Sequence, residues 1–140
     1  MNLLFELIKG EKHQIDVLYA LLKKRIHTIS HRTIPNYEEH VNFVNNNPYR
    51  LWFLLRDGEE YIGSVYLTEQ NSVGIDVLDL RFAEYLSHII DKIKNEYKPL
   101  DELKSVRPGH FSINVSPSNH QLKSALEEQG CRIAQVTYFL

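Results

Sequence analysis

Apolar residues along this chain change their period several times, and each change marks an element. Leu3 to Ile8 reads as a strand closed by Gly10. From about His13 to Arg25 the period is helical: Ile15, Leu18 and Leu22 fall together, with Gln14, Asp16, Lys23 and Lys24 between them. The stretch from Ile26 to Pro35 has no clear period and reads as a loop or a short irregular helix. Asn36 then opens a second helix. Its amide oxygen can accept from a free backbone N–H, and Glu39 is placed to complete a capping box. Tyr37, Val41 and Val44 form the apolar face, and Asn45 to Pro48 end the helix, because proline disfavours helical geometry in the residue before it.

Strand patterns follow. Tyr49 to Arg56 carries Leu51, Trp52, Phe53, Leu54 and Leu55, apolar on both faces, as a central strand would be. Asp57-Gly58 signals a hairpin turn, since glycine accepts positive φ without a steric penalty. Glu60 to Thr68 is the next strand, Gln70 to Ser72 the next turn, and Val73 to Leu78 a further strand with Val73, Ile75 and Val77 on one face. Phe82, Leu86, Ile89, Ile90, Ile93 and Tyr97 then make a long helical stripe that Pro99 stops. His110 to Ser116 alternates as a strand. Ser118 and Gln121 match a capping box for a last helix ending at Gly130, and Cys131 to Leu140 reads as a closing strand.

The order is strand, two helices, three strands, helix, strand, helix, strand. A meander followed by a strand–helix–strand crossover predicts one α/β domain over residues 1–140, with a central mixed sheet of six or seven strands and about four flanking helices. The strands near Val77 and Ile113 are expected to run parallel.

Charge and cysteine content narrow the function. Lys and Arg number 16 against 18 Asp and Glu, a net charge of −2, so nothing recruits nucleic acid or an anionic membrane. Cys131 is the only cysteine, which excludes an intrachain disulfide and fits a reducing cytoplasm. The N-terminal stretch lacks the basic start and long apolar core of a signal peptide. The histidines make no HExxH and have no cysteine pair beside them, so no metal site is expected. A homodimer is left open.

Two local stretches, in this element order, resemble the GCN5-related N-acetyltransferases over nearly the whole chain. Asn114-Val115-Ser116-Pro117-Ser118-Asn119, followed by Gly130, is similar to the family's strand-turn-helix in which an Asn opens the second cofactor-side helix. Tyr61-Ile62-Gly63-Ser64-Val65-Tyr66-Leu67 is similar to its glycine-containing third strand. The resemblance implies that acyl-CoA lies where the strand before the long helix splays from its neighbour. Its acyl carbonyl would meet the backbone at Val77 and Leu78, and its pyrophosphate the start of the long helix. Carried over residue by residue, the cofactor positions are Val77, Leu78, Arg81, Ala83, Ser87, Asn114 and Asn119.

The chain departs from that pattern twice. The phosphate segment, Leu80 to Ser87, contains no glycine. With Arg81 in the basic position, the glycine sites fall on Phe82, Glu84 and Leu86; one residue later they fall on Ala83, Tyr85 and Ser87. Glycine matters there because it lets backbone N–H groups at a helix start approach an anion. Many members also carry, in the last helix, a Tyr that protonates the departing sulfur. That position here is Leu126.

The resemblance implies an acyl-CoA-dependent N-acyltransferase acting on an amine, with a non-catalytic relative that has lost normal CoA binding as the alternative. Asp76 lies opposite the face of Ile75 and Val77, where it would serve as general base or stand as a solvent-facing strand residue or a local helix cap. His110, opening the strand near the same groove, is a weaker proton relay. His27, His31 and Arg32 lie in the loop that lines the family's acceptor pocket; they would contact an anionic acceptor such as a nucleotide-sugar phosphate, or simply be solvated. Trp52, Phe53 and Tyr66 are read as core filling, and Cys131 as buried and inert.

Overall fold

The apolar runs fold into one sheet with helices on both faces. A computed structural model describes residues 2–25, 33–77 and 82–140, and of Phe82 only the backbone. In chain order the elements are β1 (Leu3–Leu7), α1 (Lys12–Lys23), α2 (Tyr37–Asn45), β2 (Leu51–Asp57), β3 (Glu60–Leu67), β4 (Ser72–Val77), α3 (Phe82–Glu96), β5 (Ser112–Ile113) and α4 (His120–Glu128). The strands lie in the order β1-β2-β3-β4-β5. All pairings are antiparallel except the last: β4 and β5 run parallel, as a crossover through α3 requires.

Strand alternation divides the core in two. Leu55, Val65, Leu67, Val73 and Ile75 face α3 and α4, where Tyr85, Leu86, Ile89 and Leu122 meet them. On the other face Leu54 packs against Ile15 and Leu18 of α1 and Val44 of α2. Leu54 and Leu55 are both wholly buried, which explains why β2 is apolar on both sides.

Three asparagines, two at helix starts and one at a turn, fix the ends of elements. Asn36 caps α2 by accepting from the Glu39 N–H at 2.9 Å, and its Nδ2 donates to the Glu39 carboxylate at 2.8 Å. Asn119, not Ser118, caps α4, accepting from the Leu122 N–H at 3.1 Å. Asn71 turns the β3–β4 hairpin at a φ of +64°, a conformation its short polar side chain tolerates. Its buried amide donates to the carbonyls of Leu100 and Pro108 and accepts from the Leu100 N–H. Its own carbonyl accepts from the Ser112 N–H. One residue thereby fastens the long connector and sets β5 beside β4.

The sheet has five strands among the described residues, not six or seven. The expected final strand is the difference. Residues 131–140 form no strand pairing with any described residue and are exposed throughout, Tyr138 and Phe139 at 84% and 85%. Their alternation is compatible with a strand, but a strand needs a neighbour to take its backbone groups. β5 is also shorter than its alternating pattern suggests, because only Ser112 and Ile113 have partners on β4. Among the described residues no helix is long and apolar enough to cross a membrane.

Candidate functional site

The sheet opens at one end. Ser72 and Val73 of β4 pair with Ser112 and Ile113 of β5, and the pairing stops there. Gly74 to Val77 continue β4 with partners on the β3 side only. The second half of β4 and the chain after Ile113 are therefore unpaired with each other among the described residues, and this unpaired stretch is the wedge between the two strands. Asn114 is exposed and Val115 half-buried along its far side.

The helix α3 begins beyond the end of β4. Its first turns put Tyr85 and Leu86 fully into the core, and Ala83 and Glu84 outward, with Ser87 half-buried. Tyr85 Oη donates to Asp57 across the fold at 2.9 Å. In either sequence register one of the glycine positions thus falls on a core residue, whose bulk is directed away from the outer surface of the helix. The outward small residues, Ala83 and Ser87, leave room for an anion at free N–H groups. Glu84 is the exception, a carboxylate on the same outward side.

On the sheet face covered by α1 and α2, a cavity of about 650 Å³ reaches the open half of β4. Its floor is aromatic. Tyr49 and Tyr66 stack with ring centroids 4.0 Å apart and planes 9° from parallel, and Trp52 stands edge-on to Tyr49 at 5.0 Å. Gly74 makes this possible, since a Cβ there would collide with the Tyr66 ring. Burial raises the pKa of both tyrosines, so the phenols stay protonated.

At the strand end of the cavity, Arg25 Nη2 lies 3.1 Å from Asp76 Oδ1, with the two side chains 25% and 29% exposed. Burial pushes the Asp76 carboxyl above its ordinary 3.8, and the Arg25 charge opposes this without cancelling it. Arg25 Nε and Trp52 Nε1 are buried donors with no hydrogen-bond partner among the described residues. Glu39 and His40 line the opposite end.

Asp76 thus stands at the wedge, on the face the alternation predicted. His110 does not join it. Ser112 is level with Ser72, so His110 lies toward the opposite end of the strands, about 20 Å along the sheet from Asp76 at 3.3 Å per residue. Asn119 spends its side-chain oxygen on capping α4. Val77 is half-buried beside the core at the end of β4. Leu126 is buried in the core and offers no acid. His27, His31, Arg32, Leu78 and Arg81 lie outside the described residues. Cys131 is exposed rather than buried, because the segment it begins has no cover.

Trp52 packs against the core under α1 and α2 as expected and also lines the cavity with Tyr66, while Phe53 is buried as expected. Arg25 was missed, although a signal existed. The stripe Ile15, Leu18, Leu22 continues by helical spacing onto Arg25, and a charge in a core-facing slot calls for a partner. Among the described residues no cluster of His, Cys, Asp or Glu could hold a metal ion.

Compared by sequence, the chain matches no family model and no curated protein. Compared by structure, it shares the fold of several acetyltransferases over nearly its full length. The Campylobacter jejuni N-acetyltransferase PseH, solved with acetyl coenzyme A, superposes with a TM-score of 0.62 at 14% identity, covering 96% of this chain and 92% of that one. An acetyltransferase from Thermus thermophilus gives 0.65 at 16% identity, over 94% and 88%. The aminoglycoside acetyltransferase meta-AAC0020 from an uncultured soil metagenomic sample, solved with sisomicin, gives 0.56 at 14% identity, over 99% and 94%. The fold is therefore that of the GCN5-related N-acetyltransferases.

Proposed function

We propose that this chain is an acyl-CoA-dependent N-acyltransferase of the N-acetyl type, acting on a small-molecule amine. The observation that carries the reading is the end of the β4–β5 pairing at Val73 and Ile113, with Asp76 on the unpaired half of β4 and lining a cavity. One side of that strand offers a wedge and the other a pocket, so two substrates can meet across it.

The residues divide the work as follows. The wedge side of β4 and Val77 receives the acyl end, and the first turn of α3 presents free N–H groups at Ala83 and its neighbours to the phosphates. Asn114 borders the wedge from the β5 side. Asp76, with its carboxyl raised by burial, accepts the proton that the amine must lose to become a nucleophile. The acyl-CoA thioester supplies the activated acyl group, whose C–S bond is exchanged for a C–N bond to the amine. No acid is needed from Leu126, because a thiol with a pKa of about 8.5 leaves readily as thiolate and takes a proton from water. Proximity and orientation in the cavity supply most of the acceleration.

Thermal unfolding with and without acetyl-CoA tests this. At about one hundred times its dissociation constant the ligand should stabilise the fold by roughly 2.7 kcal/mol. Thiol release on adding an amine then reports turnover. The absence of glycine between Arg81 and Ser87, together with the outward Glu84, favours a second reading, a domain that keeps the scaffold for ligand or partner binding. Folded protein that shows no shift with millimolar acetyl-CoA or other acyl-CoAs decides for that reading.

A further inference from the structure

We infer that the acceptor is an amine that also carries an anionic group, a carboxylate or a phosphate, and that Arg25 reads that group. The inference rests on the acyltransferase reading, and it concerns the same cavity. Among the described residues Arg25 makes one side-chain ion pair there, Nη2 to the Asp76 carboxylate at 3.1 Å. A guanidinium has five N–H donors arranged as a fork that matches a carboxylate or phosphate edge. Arg25 Nε is buried and unpartnered among the described residues, a donor left over for a further acceptor.

The pair is also poorly placed for catalysis as it stands. As the structure stands, the Asp76 carboxylate is engaged by Arg25 rather than open to an ammonium. A neutral amine would have to break a partly buried ion pair and leave the guanidinium without a counter-ion, an expensive state. An amine that brings its own anion avoids this. Its anionic group takes the Arg25 fork, its ammonium takes Asp76, and one ion pair becomes two. The amine is then delivered to the carboxylate that deprotonates it. Tyr49, Trp52 and Tyr66 form the floor beside this pair, so a flat or apolar body fits between the charged end and α2.

Matched amines test the inference on the full chain: tyrosine against tyramine for the carboxylate, and O-phosphoethanolamine against ethanolamine for the phosphate. Two readouts are taken, kcat/KM with acetyl-CoA and binding of the amine alone by calorimetry. The anionic member of at least one pair should be favoured by about tenfold or more, and which pair shows it separates carboxylate from phosphate. Arg25→Ala should bring that ratio down to about one, and Arg25→Lys should restore only part of it, since an ammonium lacks the fork. Melting curves check that the variants are folded. Equal rates and affinities within both pairs, or a loss in Arg25→Ala that is the same for both members, overturns the inference while leaving the acyltransferase reading intact. Preferential binding of the anionic amine without any turnover does the reverse. It upholds the role of Arg25 and counts against catalysis.

Discussion

Gly63 of β3 has no room for a side chain because the Asp76 carbonyl oxygen of β4 occupies the space a Cβ would need. The backbones close over each other beside Val77, the partner of Gly63. The glycine that marks the third strand in the sequence therefore sets the position of the carboxylate on the next one. Gly63→Ala must push β4 outward or distort its own strand. We expect a loss of about 1–3 kcal/mol in urea unfolding, the usual penalty for overpacking, with turnover falling further than stability explains. A variant as stable and as active as the parent would show that the close approach has no role in the site.

Asp76→Asn removes the proposed base while keeping size. The rate constant should fall by about 10²- to 10⁴-fold with acetyl-CoA binding unchanged. In the parent protein, kcat should rise with pH through an Asp76 ionisation above the ordinary carboxylate value of 3.8. That acid limb should vanish in the variant. An acid limb that persists unchanged assigns it to another group.

Glu84 faces outward from the first turn of α3, where a phosphate is expected. Glu84→Gln should tighten acetyl-CoA binding by roughly two- to five-fold at low ionic strength, an effect of the size charges have at a helix start. The gain should shrink in about 1 M salt, where screening is strong over a few ångströms. Calorimetry at both ionic strengths gives the comparison, and weaker binding in the variant would contradict the expected phosphate position.

His40 is buried in α2 with its Nε2 2.9 Å from the Ile15 carbonyl oxygen and its ring against Tyr19. Burial lowers its pKa below the ordinary 6.5, although the Ile15 bond and the Asp16 charge act in the opposite sense. The unfolded chain thus takes up this proton at higher pH than the folded one. Stability is present above the unfolded value and is lost as pH falls from about 6.5 through the lowered folded value. Urea midpoints between about pH 7.5 and pH 5.5 should decline in the parent and decline less in His40→Gln. Carboxylates such as Glu6, whose pKa lies below 4.5, enter only under that window. Equal slopes in the two proteins would place the acid sensitivity elsewhere.

The last residues make the opposite kind of prediction. Beyond the bond from the Cys131 N–H to the Leu126 carbonyl, residues 132–140 bury nothing. Their deletion should leave the melting temperature unchanged to within a degree or two, because no packed contact is lost. A fall of several degrees would show that in solution the tail is covered, by the free edge of β5 or by a second copy.

Most of the scaffold was legible because local patterns and long-range packing agree. The stripe from Leu86 to Ile93 is buried as its period requires, the Asn36–Glu39 cap is formed, and the Asp57-Gly58 turn joins β2 to β3. The parallel pair followed from the order of elements, since a helix between two strands of one sheet returns the chain to the same end. Where pairing depends on a partner far away in sequence, the pattern overreached. Residues 131–140 alternate like a strand and find no strand neighbour among the described residues, and β5 keeps only Ser112 and Ile113 because its pairing with β4 ends at Val73.

The site divides in the same way. Sequence determined that Asp76 faces away from Ile75 and Val77, because side chains alternate along any strand. It also determined that the helix start after β4 lacks glycine. Only the tertiary structure decided which groups meet Asp76. Arg25 reaches it from the end of α1, Tyr66 lies over Gly74 of the neighbouring strand, and Tyr49 stacks on Tyr66, all contacts between residues from different parts of the chain. His110 was drawn to the site by its place at a strand mouth, yet the parallel register puts it at the other end of the sheet. Periodicity fixes the face on which a side chain stands, whereas register and the packing of α1 and α2 over the sheet fix its neighbours, and these arise from the sum of many weak contacts rather than from any local stretch.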